Sequence, residues 1–117
     1  MPDIQKTLIE PDILVMAVAG RLALGRECQV VEWTVDELLS GGQRKVVFDL
    51  SKLDYLDSTG IGILATCCGR IDAAGGQVCL ASLHPKVDDL MRVTKLNRVI
   101  TIHATVAEAV ASLGAGT

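Results

Sequence analysis

One stretch of the chain gathers most of the side chains able to do chemistry. It is Asp49-Leu50-Ser51-Lys52-Leu53-Asp54-Tyr55-Leu56-Asp57-Ser58-Thr59-Gly60-Ile61-Gly62. It holds the carboxylates of Asp49, Asp54 and Asp57 and the hydroxyls of Ser51, Ser58 and Thr59. Nucleophilic catalysis by Ser58 would need a base within hydrogen-bond reach. His84 and His103 are the only histidines, both distant in sequence, and the serine is not in a GxSxG elbow. A covalent charge switch fits these residue types better. Phosphorylation adds about −1.5 to −2 charge. A helix N-terminus tolerates that charge through its N–H groups and its dipole. Beside Asp54 and Asp57 the same phosphate would make a concentrated negative patch, and a partner docked on the neutral serine would meet both bulk and charge.

Two features of the stretch have bland alternatives. Ser58 is predicted to be the N-cap of the helix that follows, accepting a hydrogen bond from the amide of Gly60 or Ile61, and an ordinary cap needs no further function. Gly60 and Gly62 each cost a helix about 1 kcal/mol relative to Ala. They leave room either for another molecule's backbone near Ser58 or for tight packing of the helix on a sheet.

The elements that must position this stretch follow from the periodicity. Residues 4–9 and 13–18 read as strands, and the Glu10-Pro11-Asp12 turn between them predicts an antiparallel hairpin. A helix over about 26–40 places Cys28, Val31, Val35, Leu38 and Leu39 on one stripe, ended by Ser40-Gly41-Gly42. Trp33 falls off that stripe, where it either covers a sheet edge or faces a partner. Residues 45–50 form a strand whose Val46-Val47-Phe48 run expects cover on both faces. Residues 51–58 are a loop. A helix over about 59–74 carries Ile61, Leu64, Ala65, Cys68 and Ile71, and Gly75-Gly76 stops it. Residues 78–81 are a strand, a short helix near Pro85 shows Val87, Leu90 and Met91, and residues 99–102 are the last strand. Thr105 caps a final helix bearing Val106, Ala109, Val110 and Leu113. From residue 45 onward strands and helices alternate, so parallel strands joined by right-handed crossovers are expected. The fold class is α/β, a mixed sheet of about five strands with about four helices.

Composition narrows the function further. The chain has 117 residues, which fits one domain over 1–117. Half the residues are hydrophobic and 21% charged, which excludes disorder. With one residue each of Phe, Tyr and Trp, the core must be Val, Leu, Ile and Ala. A net charge of −3 with no basic run and few aromatics argues against nucleic acid as a direct partner. No apolar stretch approaches the ~20 residues of a membrane span. The N-terminal residues carry no signal-peptide pattern, so the expectation is cytoplasmic. Cys28, Cys67, Cys68 and Cys79 show neither CxxC nor zinc spacing and are expected to be buried hydrophobes. No metal or other cofactor is expected. A phospho-accepting receiver domain is also about this length, but Val18-Ala19-Gly20 lacks its acidic pair and Ile102-His103-Ala104 lacks its lysine.

Several segments together resemble the STAS domain of bacterial anti-sigma-factor antagonists. They are Gly20-Arg21-Leu22, Val46-Val47-Phe48-Asp49-Leu50-Ser51, Leu56-Asp57-Ser58-Thr59-Gly60-Ile61-Gly62, Gly75-Gly76 and Leu90-Met91-Arg92-Val93-Thr94-Lys95-Leu96. The resemblance covers about residues 13–113. It implies a protein that catalyses nothing. Unphosphorylated, it would bind an anti-sigma factor of the GHKL-type serine kinase class and so free a sigma factor. That kinase would phosphorylate Ser58 and break the complex, and a PP2C-like phosphatase would restore it. By the same resemblance Asp57, Ser58, Thr59, Gly60, Ile61 and Gly62 shape the partner-binding loop and first helical turn, with Asp49 and Ser51 beside them at the strand exit. The alternative it leaves is a stand-alone STAS scaffold or accessory protein, stressosome-like or in lipid transport, without a phospho-switch. Ala23 stands where the family often has Asp, and Lys95 where many relatives have Gly.

Overall fold

The computed structural model describes residues 3–23 and 26–114. Its elements run β1 (Asp3–Ile9), β2 (Ile13–Leu22), α1 (Arg26–Ser40), β3 (Lys45–Asp49), β4 (Leu53–Leu56), α2 (Ser58–Ala73), β5 (Gln77–Ala81), α3 (Pro85–Val93), a 3-10 turn (Leu96–Arg98), β6 (Ile102–His103) and α4 (Val106–Gly114). The sheet order is β1-β2-β3-β5-β6, with β4 paired to β2. Only β1 and β2 are antiparallel, in the hairpin expected from their short link. The pairs β2–β3, β3–β5, β5–β6 and β2–β4 are parallel. This is the mixed sheet that the alternation of elements calls for.

The period of two along each strand sorts the core into two layers. Met16 and Val18 of β2, Val46 and Phe48 of β3, and Leu80 of β5 join Val31 and Val35 of α1, Leu64 and Ile71 of α2, and Met91 of α3. On the other face Ile13, Val15, Val47, Cys79 and Ala81 pack with Ala109 and Leu113 of α4. Three helices thus cover one face and α4 covers the other. Val46, Val47 and Phe48 are fully buried, as a strand sandwiched on both sides requires.

The structure corrects the expected strands in two places. Residues 53–56 are a strand rather than part of a loop. β4 is only four residues long, buried at its two ends and exposed between, so it shows no period-two alternation. The last strand begins later than expected. The amides of Val99 and Ile100 are spent on the Leu96 carbonyl, at 3.0 and 2.9 Å, and cannot enter a ladder. Val99 is accordingly 76% exposed despite its apolar type. Trp33 is largely exposed, with 60% of it facing solvent. Lys95 has a left-handed backbone (φ 63°), a conformation that favours Gly, which explains why a Gly suits that position.

Candidate functional site

The Asp49–Gly62 segment leaves the sheet and returns to it before the helix begins. β3 ends at Asp49, whose Oδ1 accepts the Ser51 amide at 3.0 Å and tightens the turn. The Leu50 amide donates to the Ala81 carbonyl at 3.1 Å and the Leu53 amide to the Leu50 carbonyl at 3.1 Å. The chain then runs alongside the far end of β2. Leu53 is in register with Gly20, Tyr55 with Arg21 and Leu56 with Leu22. The Arg21 guanidinium lies 4.3 Å from the centre of the Tyr55 ring, a cation–π contact across the two strands. Leu53 and Leu56 point into the core and anchor the segment.

The helix begins one residue earlier than expected, with a different cap. Asp57 is the N-cap of α2, in an extended conformation, and its Oδ1 accepts the Gly60 amide at 2.8 Å. Ser58 is therefore the first helical residue rather than the cap. The correction has a simple reason. Asp and Ser cap about equally well, and Asp57 is preceded by the anchored Leu56, so it occupies the last non-helical position. Released from capping, Ser58 is exposed.

The two glycines of the first turns differ in their surroundings. A Cβ at Gly60 would overlap the Leu22 carbonyl oxygen and lie 2.6 Å from Leu56 Cδ1. Gly60 is thus required by close packing of α2 on β2 and β4. A Cβ at Gly62 would meet nothing within 4 Å, and Gly62 is exposed. Of the six residues expected to form the docking turn, Ser58 and Gly62 are exposed, Asp57 and Thr59 are half-buried, and Gly60 and Ile61 are buried in the turn's underside. A group facing the core shapes the turn from within and cannot itself touch a docked protein.

The remaining candidates lie elsewhere. Asp49 and Ser51 line a hollow of about 210 Å³ with Gln5, Thr7 and Ala17. His84 caps α3, its Nδ1 accepting the Lys86 amide at 3.2 Å. His103 ends β6, and β5 lies between β6 and β3. Cys28, Cys67, Cys68 and Cys79 are all buried. Burial pushes the Cys67 and Cys68 thiols up to about 12, with nearby negative charge adding to it, and the Cys79 thiol up to about 11. These thiols stay protonated and unreactive at neutral pH. Among the described residues no His, Cys, Asp and Glu cluster fit to hold a metal occurs, and no helix is long and apolar enough to cross a membrane.

Sequence reasoning missed the partnership of Arg21 with Tyr55. The signal was present in Gly20-Arg21-Leu22, but it needed β4 to be recognised as a strand beside it.

Comparison with known proteins agrees with this arrangement. The model of the STAS domain family matches residues 5–109. A Thermotoga maritima protein bearing the name "Putative anti-sigma factor antagonist" is 28% identical over 101 residues, covering 86% of this chain and 89% of its own. The crystal structure of an anti-sigma factor antagonist from Mycobacterium paratuberculosis superimposes with a TM-score of 0.85 at 18% identity, over 97% of this chain and 94% of that one. The phosphorylated form of the Bacillus cell fate determinant SpoIIAA gives a TM-score of 0.72 at 17% identity, over 92% and 96% of the two chains. At those identities the two structures speak for a shared fold.

Proposed function

The chain belongs to the STAS domain family, and from that premise we propose that it is an anti-sigma-factor antagonist switched by phosphorylation of Ser58. In its unphosphorylated state it binds an anti-sigma factor and thereby releases a sigma factor. The anti-sigma factor is a GHKL-type serine kinase. The Ser58 oxygen attacks the γ-phosphorus of ATP, the bond to the β,γ-bridging oxygen breaks, ADP leaves, and the hydroxyl proton passes to a base of the kinase. A PP2C-like phosphatase hydrolyses the ester and restores the binding surface. The protein acts in the cytoplasm as the substrate of both enzymes and catalyses nothing itself.

One observation carries this reading. Ser58 is exposed in the first turn of α2, while the turn beneath it is held rigid by the Asp57 cap and by the packing of Gly60. A kinase can reach that hydroxyl without unfolding anything, and a new charge there changes the surface directly. The test is incubation with the cognate kinase and ATP, read by intact-mass and peptide mass spectrometry. One phosphate is expected, on Ser58, and none on Ser58→Ala. A phosphate on another residue defeats the assignment. Ser58→Asp is expected to bind the anti-sigma factor more weakly, and unchanged affinity in a titration would defeat the electrostatic switch.

A further inference from the structure

Trp33 has no part in the phospho-switch. It is the chain's only tryptophan, it is largely open to water, and it lies off the core-facing stripe of Cys28, Val31 and Val35. Its surroundings are acidic. From residue 32 to its end α1 carries Glu32, Asp36 and Glu37 and no cation. Asp36 is paired with Arg70 of α2, and Arg44 donates to the Leu39 carbonyl at 3.0 Å at the helix end. Glu32 and Glu37 are left without an ion pair among the described residues.

A second surface has the opposite sign. Residues 92–99 lead from α3 through the 3-10 turn and contain no acid. Two consecutive turns fix their backbone, with the Lys95 amide on the Arg92 carbonyl at 3.1 Å and the Arg98 amide on the Lys95 carbonyl at 3.2 Å. Val93 and Val99 are 79% and 76% exposed, the highest values of any large hydrophobic among the described residues. Arg92 is paired with Asp88, whereas Lys95 and Arg98 form no ion pair among the described residues. Each surface thus combines exposed apolar side chains with two unpaired charges, and the two sets of charges are opposite. Within one copy both stay open to solvent.

We propose that the two surfaces are the halves of one contact between copies of this chain. The Trp33 face of α1 in one copy seats on residues 92–99 of the next. The indole covers Val93 and Val99, while Glu32 and Glu37 meet Lys95 and Arg98. The two sides differ, so each copy can use one half for one neighbour and the other half for another. The assembly closes into a ring or runs on as an open chain. An indole contributes about 150–250 Å² of buried surface, and stable complexes bury about 1,200 Å² or more. The association is therefore weak and needs a high local concentration. It leaves the switch clear. Residues 92–99 precede β6, at the amino end of the parallel strands, and Ser58 follows β4 at their carboxyl end. An assembled copy keeps its docking turn exposed, and the inference does not depend on Ser58 being the phosphoacceptor.

The test follows the full-length protein by sedimentation velocity and by the fluorescence of its sole tryptophan. As the concentration rises from micromolar to millimolar, the weight-average mass is expected to climb above the monomer. The Trp33 emission moves to shorter wavelength in step, as water leaves the indole. Both changes shrink at about 1 M salt, where the screening length falls to about 3 Å. Trp33→Ala, and Val93→Asp combined with Val99→Asp, each stay monomeric. All three positions are exposed, so both variants keep the natural unfolding temperature. An equimolar mixture of the two variants associates where neither does alone, because one brings an intact Trp33 face and the other intact residues 92–99. A natural protein that stays monomeric throughout overturns the proposal. So does association without a shift of the Trp33 emission, and so does a mixture that stays monomeric. The first two readouts need no variant, so a variant that fails to fold does not shield the proposal.

Discussion

On its inner flank the first turn of α2 presses Gly60 against the Leu22 carbonyl and the Leu56 side chain, with no room for a methyl group. On its outer flank Ser58 and Gly62 face solvent, and a side chain at Gly62 would touch nothing. The same residue type thus stands two positions apart for opposite reasons. Gly60 is explained completely by the fold. Gly62 is explained by nothing inside the molecule, and it weakens the helix it sits in. Gly62 leaves this flank open, and it is the flank that the proposed partner would cover.

Substitution can break this contrast. Gly60→Ala should have the largest effect, a loss of about 3 kcal/mol, at the upper end for overpacking because the obstacle is backbone. Urea unfolding should show it as a lower midpoint, and an unchanged midpoint would mean that the inner flank is not tight. Asp57→Ala should cost about 1 kcal/mol as the Gly60 amide loses its acceptor, while Asp57→Asn should stay within a few tenths. Equal losses in the two variants would show that the carboxylate's charge, and not its capping oxygen, holds the turn. Gly62→Ala should have the smallest effect and the opposite sign, a gain of roughly 0.5–1 kcal/mol in thermal or urea unfolding. Its affinity for the anti-sigma factor should nonetheless fall. A variant both more stable and equally tight in binding would remove the outer flank from the docking surface.

Much of the architecture was legible because strong periodicities carried it. The boundaries of α1 at 26 and 40 and the buried run of β3 follow from apolar spacing and glycine stops alone. β4 escaped because a four-residue strand with a polar middle leaves no pattern to count, and its evidence is its partner, β2. The last strand was misplaced because Val99-Ile100-Thr101-Ile102 has β-type residues, while local hydrogen bonds back to the Leu96 carbonyl decide the backbone of Val99 and Ile100. At the site, sequence located Ser58 and the negative charge around it. It placed the cap at Ser58 instead of Asp57, since both side chains suit the position and apolar spacing does not fix the first helical residue. Nor could it separate Gly60 from Gly62, because that distinction lies in what each one's missing methyl would strike.

The register of β4 has one more consequence. β3 pairs with β2 only as far as Ala17, and β5 ends level with β3, whereas β4 continues along β2 to Leu22. Five residues of strand carry this pair roughly 16 Å past the end of β3. Ser58 follows directly from the tip of that overhang. A deep enzyme cleft can close around such a promontory from several sides while the remainder of the molecule stays outside it.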